Sequence, residues 1–129
     1  MKVWLGFIAA VLIATSAQAQ SDPYSGAVFL PSCLAAADIV QGKRPAADSE
    51  DMAKQMRQAA ICFGGLAAIK NVEAYFTPEF AACPPPDMSS MAQRVLIVTA
   101  YLKSHREALG ENFYKLAVAA YAAAWPCAK

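Results

Sequence analysis

Apolar residues recur at intervals of three and four in four stretches of this chain. In 26–40, "GAVFLPSCLAAADIV", Phe29, Cys33, Ala36 and Ile39 or Val40 share one face of a helix, and Pro31 falls near the start, where a helix tolerates it. From about 49 to 76, Met52, Met56, Ala59, Phe63, Leu66 and Ile69 follow the same spacing. Asp48 and Ser49 are candidate N-caps there, and Glu50 and Asp51 suit the positive end of a helix dipole. Met91, Val95, Val98 and Leu102 mark a third helix over 91–104, and Ser90-x-x-Gln93 in front of it has the form of a capping box. Phe113, Leu116, Ala117, Ala120, Tyr121 and Ala124 mark a fourth over 111–125. "VLIVTAYL" has partly β-branched character, but the cap and the 3.6-residue spacing decide for helix.

Breaks separate these stretches. "QGKRPAADSED" (41–51) mixes Gly, Pro, Asp and Ser, and "TPEFAACPPPDMSS" (77–90) carries four prolines. Gly110 in "SHREALGEN" marks a weaker break. Gly64 and Gly65 interrupt the second helix, where each costs about 1 kcal/mol relative to alanine. Such a pair implies close approach by a backbone or a large side chain. The pattern predicts an all-α fold, a small four-helix bundle.

The first twenty residues change the picture. "MKVWLGFIAAVLIATSAQAQ" has one charge, Lys2, then an uncharged apolar run from Val3 to Ala14, then Ala17-Gln18-Ala19. That is a basic n-region, an h-region and a small-x-small cleavage site. The run is short for a bilayer span. A signal peptide over 1–19 and a single helical domain over 20–129 are therefore expected, with the mature protein exported to the periplasm and no membrane segment left after cleavage.

Removing Lys2 from 11 basic and 10 acidic residues leaves a formally neutral mature chain. No basic stripe is present, so nucleic acid is not an expected partner.

Four cysteines remain: Cys33, Cys62, Cys83 and Cys127. An even count behind an export signal reads as two disulfides, and four cysteines allow three pairings. If the third and fourth helices pack antiparallel, the start of one, just after Cys83, meets the end of the other, just before Cys127. Cys83–Cys127 is then favoured, leaving Cys33–Cys62 to join the first two helices.

Chemistry is sparse. No C-x-x-C or G-x-S-x-G is present, and His105 is the one histidine. It reads as a helix-end residue beside a Ser104-x-x-Glu107 capping pattern. Met52/Met56 and Met88/Met91 have a spacing that could hold Cu(I), although methionines so placed more often fill a core. Glu73 and Glu79 read as surface charges. No catalytic, metal or cofactor site is assigned, and an enzyme is not expected. Tyr75, Phe76 and Phe80, beside Pro84, Pro85, Pro86 and Asp87, form the candidate partner-binding surface. The bland alternative is that the aromatics only staple the loop to the bundle.

The order of "CFGGLAAIKNV", "CPPPDMSSMAQ", "VLIVTAYLKSHREAL" and "AAYAAAWPC" resembles the Rap/Tai family of type VI secretion immunity proteins, over residues 25 to 127. Cys62, Gly65, Cys83, Gln93, Val98, Leu102, His105, Glu107 and Trp125-Pro126-Cys127 carry the likeness. Arg106, and the triple proline Pro84-Pro85-Pro86, depart from the family's usual pattern. The resemblance implies a small exported helical domain that binds and blocks a peptidoglycan-cleaving amidase delivered by a neighbouring cell, and a possible homodimer. The alternative is a periplasmic helical binding protein akin to acid-stress chaperones, with no toxin partner.

Overall fold

The computed structural model describes residues 22–43 and 49–128. The expected signal peptide and the candidate cap Asp48 lie outside them. Four helices are present: α1 (Gly26–Val40), α2 (Ser49–Val72), α3 (Met91–Ser104) and α4 (Phe113–Ala124). Short 3₁₀ turns follow α2 at Glu73–Tyr75, precede α3 at Pro86–Met88 and follow it at Arg106–Ala108. Among the described residues there is no strand, only an isolated bridge between Ser25 and Asn112.

Both disulfides pair as the helix packing requires, Cys33 with Cys62 and Cys83 with Cys127. The first joins α1 to α2 inside the core. The second ties the 77–90 loop to the end of α4. There Arg94, on the first turn of α3, lies beside Tyr121 and Trp125 at the end of α4, so α3 and α4 run antiparallel.

Phe29, Cys33 and Ala36 of α1 are buried with Cys62, Leu66 and Ile69 of α2, Val95, Val98 and Leu102 of α3, and Phe113, Leu116 and Ala117 of α4. Burying such side chains contributes roughly 1.5–3 kcal/mol each for the larger ones. Thr99 Oγ1 also donates to the Cys33 carbonyl at 3.1 Å, tying α3 to α1.

The N-terminus of α1 is sewn to the α3–α4 turn. Gly26 N–H donates to Glu111 O and Ala27 N–H to Leu109 O, so donors that a helix start leaves orphaned are satisfied by backbone. Pro31 sits in the second turn of α1, deeper than its reading as a helix-start proline. Lacking an N–H, it leaves the Ala27 carbonyl without its helical partner.

The two glycines of α2 differ. A Cβ on Gly65 would lie 2.9 Å from Phe113 Cε1 and 3.1 Å from Phe29 Cε1, whereas one on Gly64 would meet nothing within 4 Å. The two rings stack at 3.9 Å, leaving neither room to retreat. Gly65 therefore admits the ring pair, and Gly64 faces outward. Gly64→Ala is expected to stabilise by up to about 1 kcal/mol through helix propensity. Gly65→Ala is expected to destabilise by about 1–2 kcal/mol, because overpacking outweighs that gain. Urea denaturation of the two variants gives opposite signs. Two shifts of equal sign would refute the ring-contact account.

Three stripe residues are not buried. Met52 and Met56 are exposed, because the first turns of α2 run past the end of the bundle, so they are not core filler. Ala124, on the last turn of α4, is exposed too.

Candidate functional site

The capping box at α3 is half made. Ser90 Oγ accepts from Gln93 N–H at 3.3 Å, while Gln93 Oε1 has no hydrogen-bond partner. The expected cap at Ser104 is not made at all: its hydroxyl donates to the Tyr101 carbonyl. His105 ends α3, stacked on Tyr101 at 3.9 Å with Nδ1 2.9 Å from the Tyr101 carbonyl. It serves the helix end.

Past α2, the chain turns through Glu73–Tyr75 and is pinned from beneath. Arg94 is only 1% exposed, yet it carries a full charge. Its Nη1 and Nη2 bind the two Glu73 oxygens at 2.8 and 2.9 Å, and its Nε donates to Ser89 O at 3.3 Å. The guanidinium also lies 5.0 Å from the Tyr121 ring centre and 5.6 Å from that of Trp125. One side chain thus holds the two ends of the 73–90 segment. Glu73 is therefore not the free surface charge its sequence context suggests. Cys83 holds the middle, through its disulfide and through its N–H to Trp125 O at 2.8 Å.

Pinned in this way, the segment forms one wall of an open groove of about 940 Å³. Ala68, Ile69 and Val72 of α2 form a second wall, and Tyr114, Val118, Ala119 and Ala122 of α4 the third. The small residues of α4 leave the space, and the aromatic residues border it. Polar groups are few: Thr77, Glu79 and Lys115. Lys115 pairs with Glu111, whose carboxylate raises its pKa above the ordinary lysine value. A second cavity of about 310 Å³ lies across Phe76, Phe80 and Val118 and is lined by Glu73, Ala81, Ala82 and Tyr121.

The structure brings Tyr75, Phe76 and Phe80 together on the groove. Tyr75 is 85% exposed and Phe80 is exposed as well, so the two do not bury themselves against the bundle. Pro84, Pro85, Pro86 and Asp87 stand apart, on the adjoining turn, and line neither cavity. Sequence reasoning missed the α2 and α4 walls and the buried Arg94. The alanines in "AVAAYAAA" and the lone cation in "QRVLIVTAYL" were the available signals.

Tyr121 Oη is buried without a hydrogen-bond partner. Burial pushes its pKa up to about 12, with the nearby Arg94 cation opposing. Below about pH 10 the phenol is neutral in both folded and unfolded chains. Between about pH 10 and 12 only the unfolded chain ionises, so stability falls as pH rises. Tyr121→Phe is expected to leave stability at pH 7 unchanged or slightly higher. It should also flatten the loss that the native protein shows between about pH 10 and 12. Identical pH curves for the two proteins would contradict this.

Fold and groove together define a disulfide-stapled helical domain with an open apolar face. No described helix is long and apolar enough to cross a membrane. Residues 25–127 match the family model of the Rap1a immunity proteins, and the chain belongs to that family. Its members are generally non-enzymatic and bind a secreted effector protein. No curated protein and no solved structure matches the chain.

Proposed function

We propose that this protein is exported to the periplasm, loses residues 1–19, and there binds and inhibits a peptidoglycan amidase injected through a type VI secretion system. The family match over residues 25–127 carries this reading. The docking face is the groove edged by Tyr75, Phe76 and Phe80. Exposed aromatics above an apolar trough have the form of interface anchors, since large rings bring area at low entropy loss. The adjoining turn Pro85-Pro86-Asp87 is exposed and would enter the amidase cleft, where obstruction alone stops substrate access. Inhibition then needs no catalytic group on this chain.

The test is co-expression with a type VI peptidoglycan amidase directed to the periplasm. Native protein is expected to protect the cells and to co-purify with the enzyme. Tyr75→Asp/Phe80→Asp is expected to lose protection and to weaken binding by about 100-fold or more while keeping native helical circular dichroism. Met56→Asp, on the far end of α2, is expected to behave as the native protein. Lysis of cells carrying the native protein, with no complex recovered, would overturn the amidase reading. Full protection by the double variant would overturn the groove as docking face. A homodimer formed through the same groove would compete with the amidase, and light scattering of the native and double-variant proteins reads that directly.

A further inference from the structure

The two disulfides sit in opposite environments. Cys33 and Cys62 are both 0% exposed, enclosed by the helices they join. Cys83 is exposed and Cys127 half-buried, on a loop and a chain end. Thiol–disulfide exchange needs a thiolate to reach a sulfur along the S–S axis, so access sets which bridge reacts first. Their mechanical duties differ as well. The Cys33–Cys62 bridge holds α1 to α2 within the core. The Cys83–Cys127 bridge holds the middle of a loop whose ends are fixed independently by Arg94, through Glu73 and through the Ser89 carbonyl. Three residues before Cys83 stands Phe80, which lines both cavities.

We propose that Cys83–Cys127 is a redox latch on the groove, separable from the bridge that holds the bundle. A dithiol reductant attacks one of its sulfurs to form a mixed disulfide, then closes on itself. The protein S–S bond breaks, the reductant's S–S bond forms, and two electrons and two protons arrive as the thiols of Cys83 and Cys127. The 76–83 segment then keeps the Cys83 N–H bond to Trp125, the packing of Phe76 and Ala82 against the core, and its two ends, while the exposed Phe80 between them loses its nearest covalent anchor. Phe80 is no longer held in place, and the groove loses its outer wall while the four helices stay packed. Exchange with a disulfide oxidant, which leaves as its dithiol with the two electrons and two protons, re-forms the Cys83–Cys127 bond and restores the wall. The effect on partner binding rests on the groove being the amidase-docking face; the latch itself does not.

Partial reduction of the folded protein with dithiothreitol, quenched with iodoacetamide and mapped by mass spectrometry, tests it. Cys83 and Cys127 are expected to be alkylated at least about tenfold faster than Cys33 and Cys62. The singly reduced species should keep native helical circular dichroism, and its amide exchange should rise at least about tenfold over 76–83 and not over α1. Cys83→Ser/Cys127→Ser should reproduce that exchange pattern. Joint reduction of both bridges, earlier reduction of Cys33–Cys62, or unchanged exchange over 76–83 would each overturn the latch. With the amidase, the singly reduced form is expected to bind at least about tenfold more weakly than the oxidised form. Equal binding would remove the latch's control of docking. Failure of the oxidised form to bind would overturn the amidase reading, and the latch would then stand or fall on the alkylation and exchange results alone.

Discussion

Replacing Cys33 and Cys62 together by alanine is expected to lower the unfolding free energy by about 3–5 kcal/mol. The bridge spans 29 positions of sequence, and on the chain-entropy account closing such a loop removes about 3.6 kcal/mol of freedom from the unfolded state. Both cysteines are also fully enclosed, so loss of the sulfurs leaves unfilled space in the core rather than new contact with water. For a domain of this size the midpoint of thermal unfolding should fall by roughly 10–20 °C. The outer bridge provides the contrast. It spans 44 positions, and chain entropy alone assigns it more, about 4 kcal/mol. However, cutting it lets the 76–83 segment move within the folded state, which returns part of that entropy. The Cys83→Ala/Cys127→Ala protein is therefore expected to be the more stable of the two. Urea titrations of both double variants decide the order. If removing the outer bridge costs more, the folded loop gains little freedom and the division of duties between the bridges is wrong.

The helices were legible because their signals are local. The apolar spacing placed the ends of α1 and α3 where the structure has them. Both cysteine pairings followed from one assumption, that the last two helices pack antiparallel, and Arg94 beside Tyr121 and Trp125 shows that they do. The Gly64-Gly65 pair was legible as a point of close approach, although only Gly65 is one, and the residues that approach it were not legible. Phe113 lies far along the chain, on α4, and nothing in a helix-length window points to it. The same reason hid the site. Tyr75, Phe76 and Phe80 could be picked out as aromatics beside a proline-rich loop. The trough they border is made by the absence of bulk on α4, at Ala119 and Ala122, and by Ile69 and Val72 across from it. An alanine reads as a good helix former in any sequence, whether it sits under a neighbour or beneath an empty groove. Met52 and Met56 failed for a related reason. Their spacing is helical and their side chains apolar, but α2 outlasts the bundle it packs on, and the length of a partner helix is not written in the stripe.

The Arg94–Glu73 pair yields an effect whose size depends on which partner is removed. Glu73→Ala is expected to destabilise by about 3 kcal/mol, because it leaves a guanidinium only 1% exposed facing no counter-charge. The value sits at the low end for buried pairs because the Glu73 side chain is 37% exposed, so water enters where the carboxylate was. Arg94→Met is expected to cost less, about 1–2 kcal/mol. It keeps volume against Tyr121 and Trp125, and it frees a carboxylate that can turn to solvent; what it forfeits is the bidentate pair with that half-exposed carboxylate, the hydrogen bond to Ser89 O and the two cation–π contacts. The double variant Glu73→Ala/Arg94→Met is then expected to be more stable than Glu73→Ala alone, since no unpaired charge remains buried. Losses that add in the double variant would mean that the two residues act independently, contrary to the bidentate geometry. The pair should also have a reading in binding. Both single variants release an end of the 73–90 segment, so the groove wall loosens even where the helices remain intact. Amide exchange over 73–80 is expected to rise in Arg94→Met at pH 7 before its thermal midpoint has fallen far. A wall that stays protected until global unfolding would show that the outer disulfide and the Cys83–Trp125 hydrogen bond hold it without help from the buried cation.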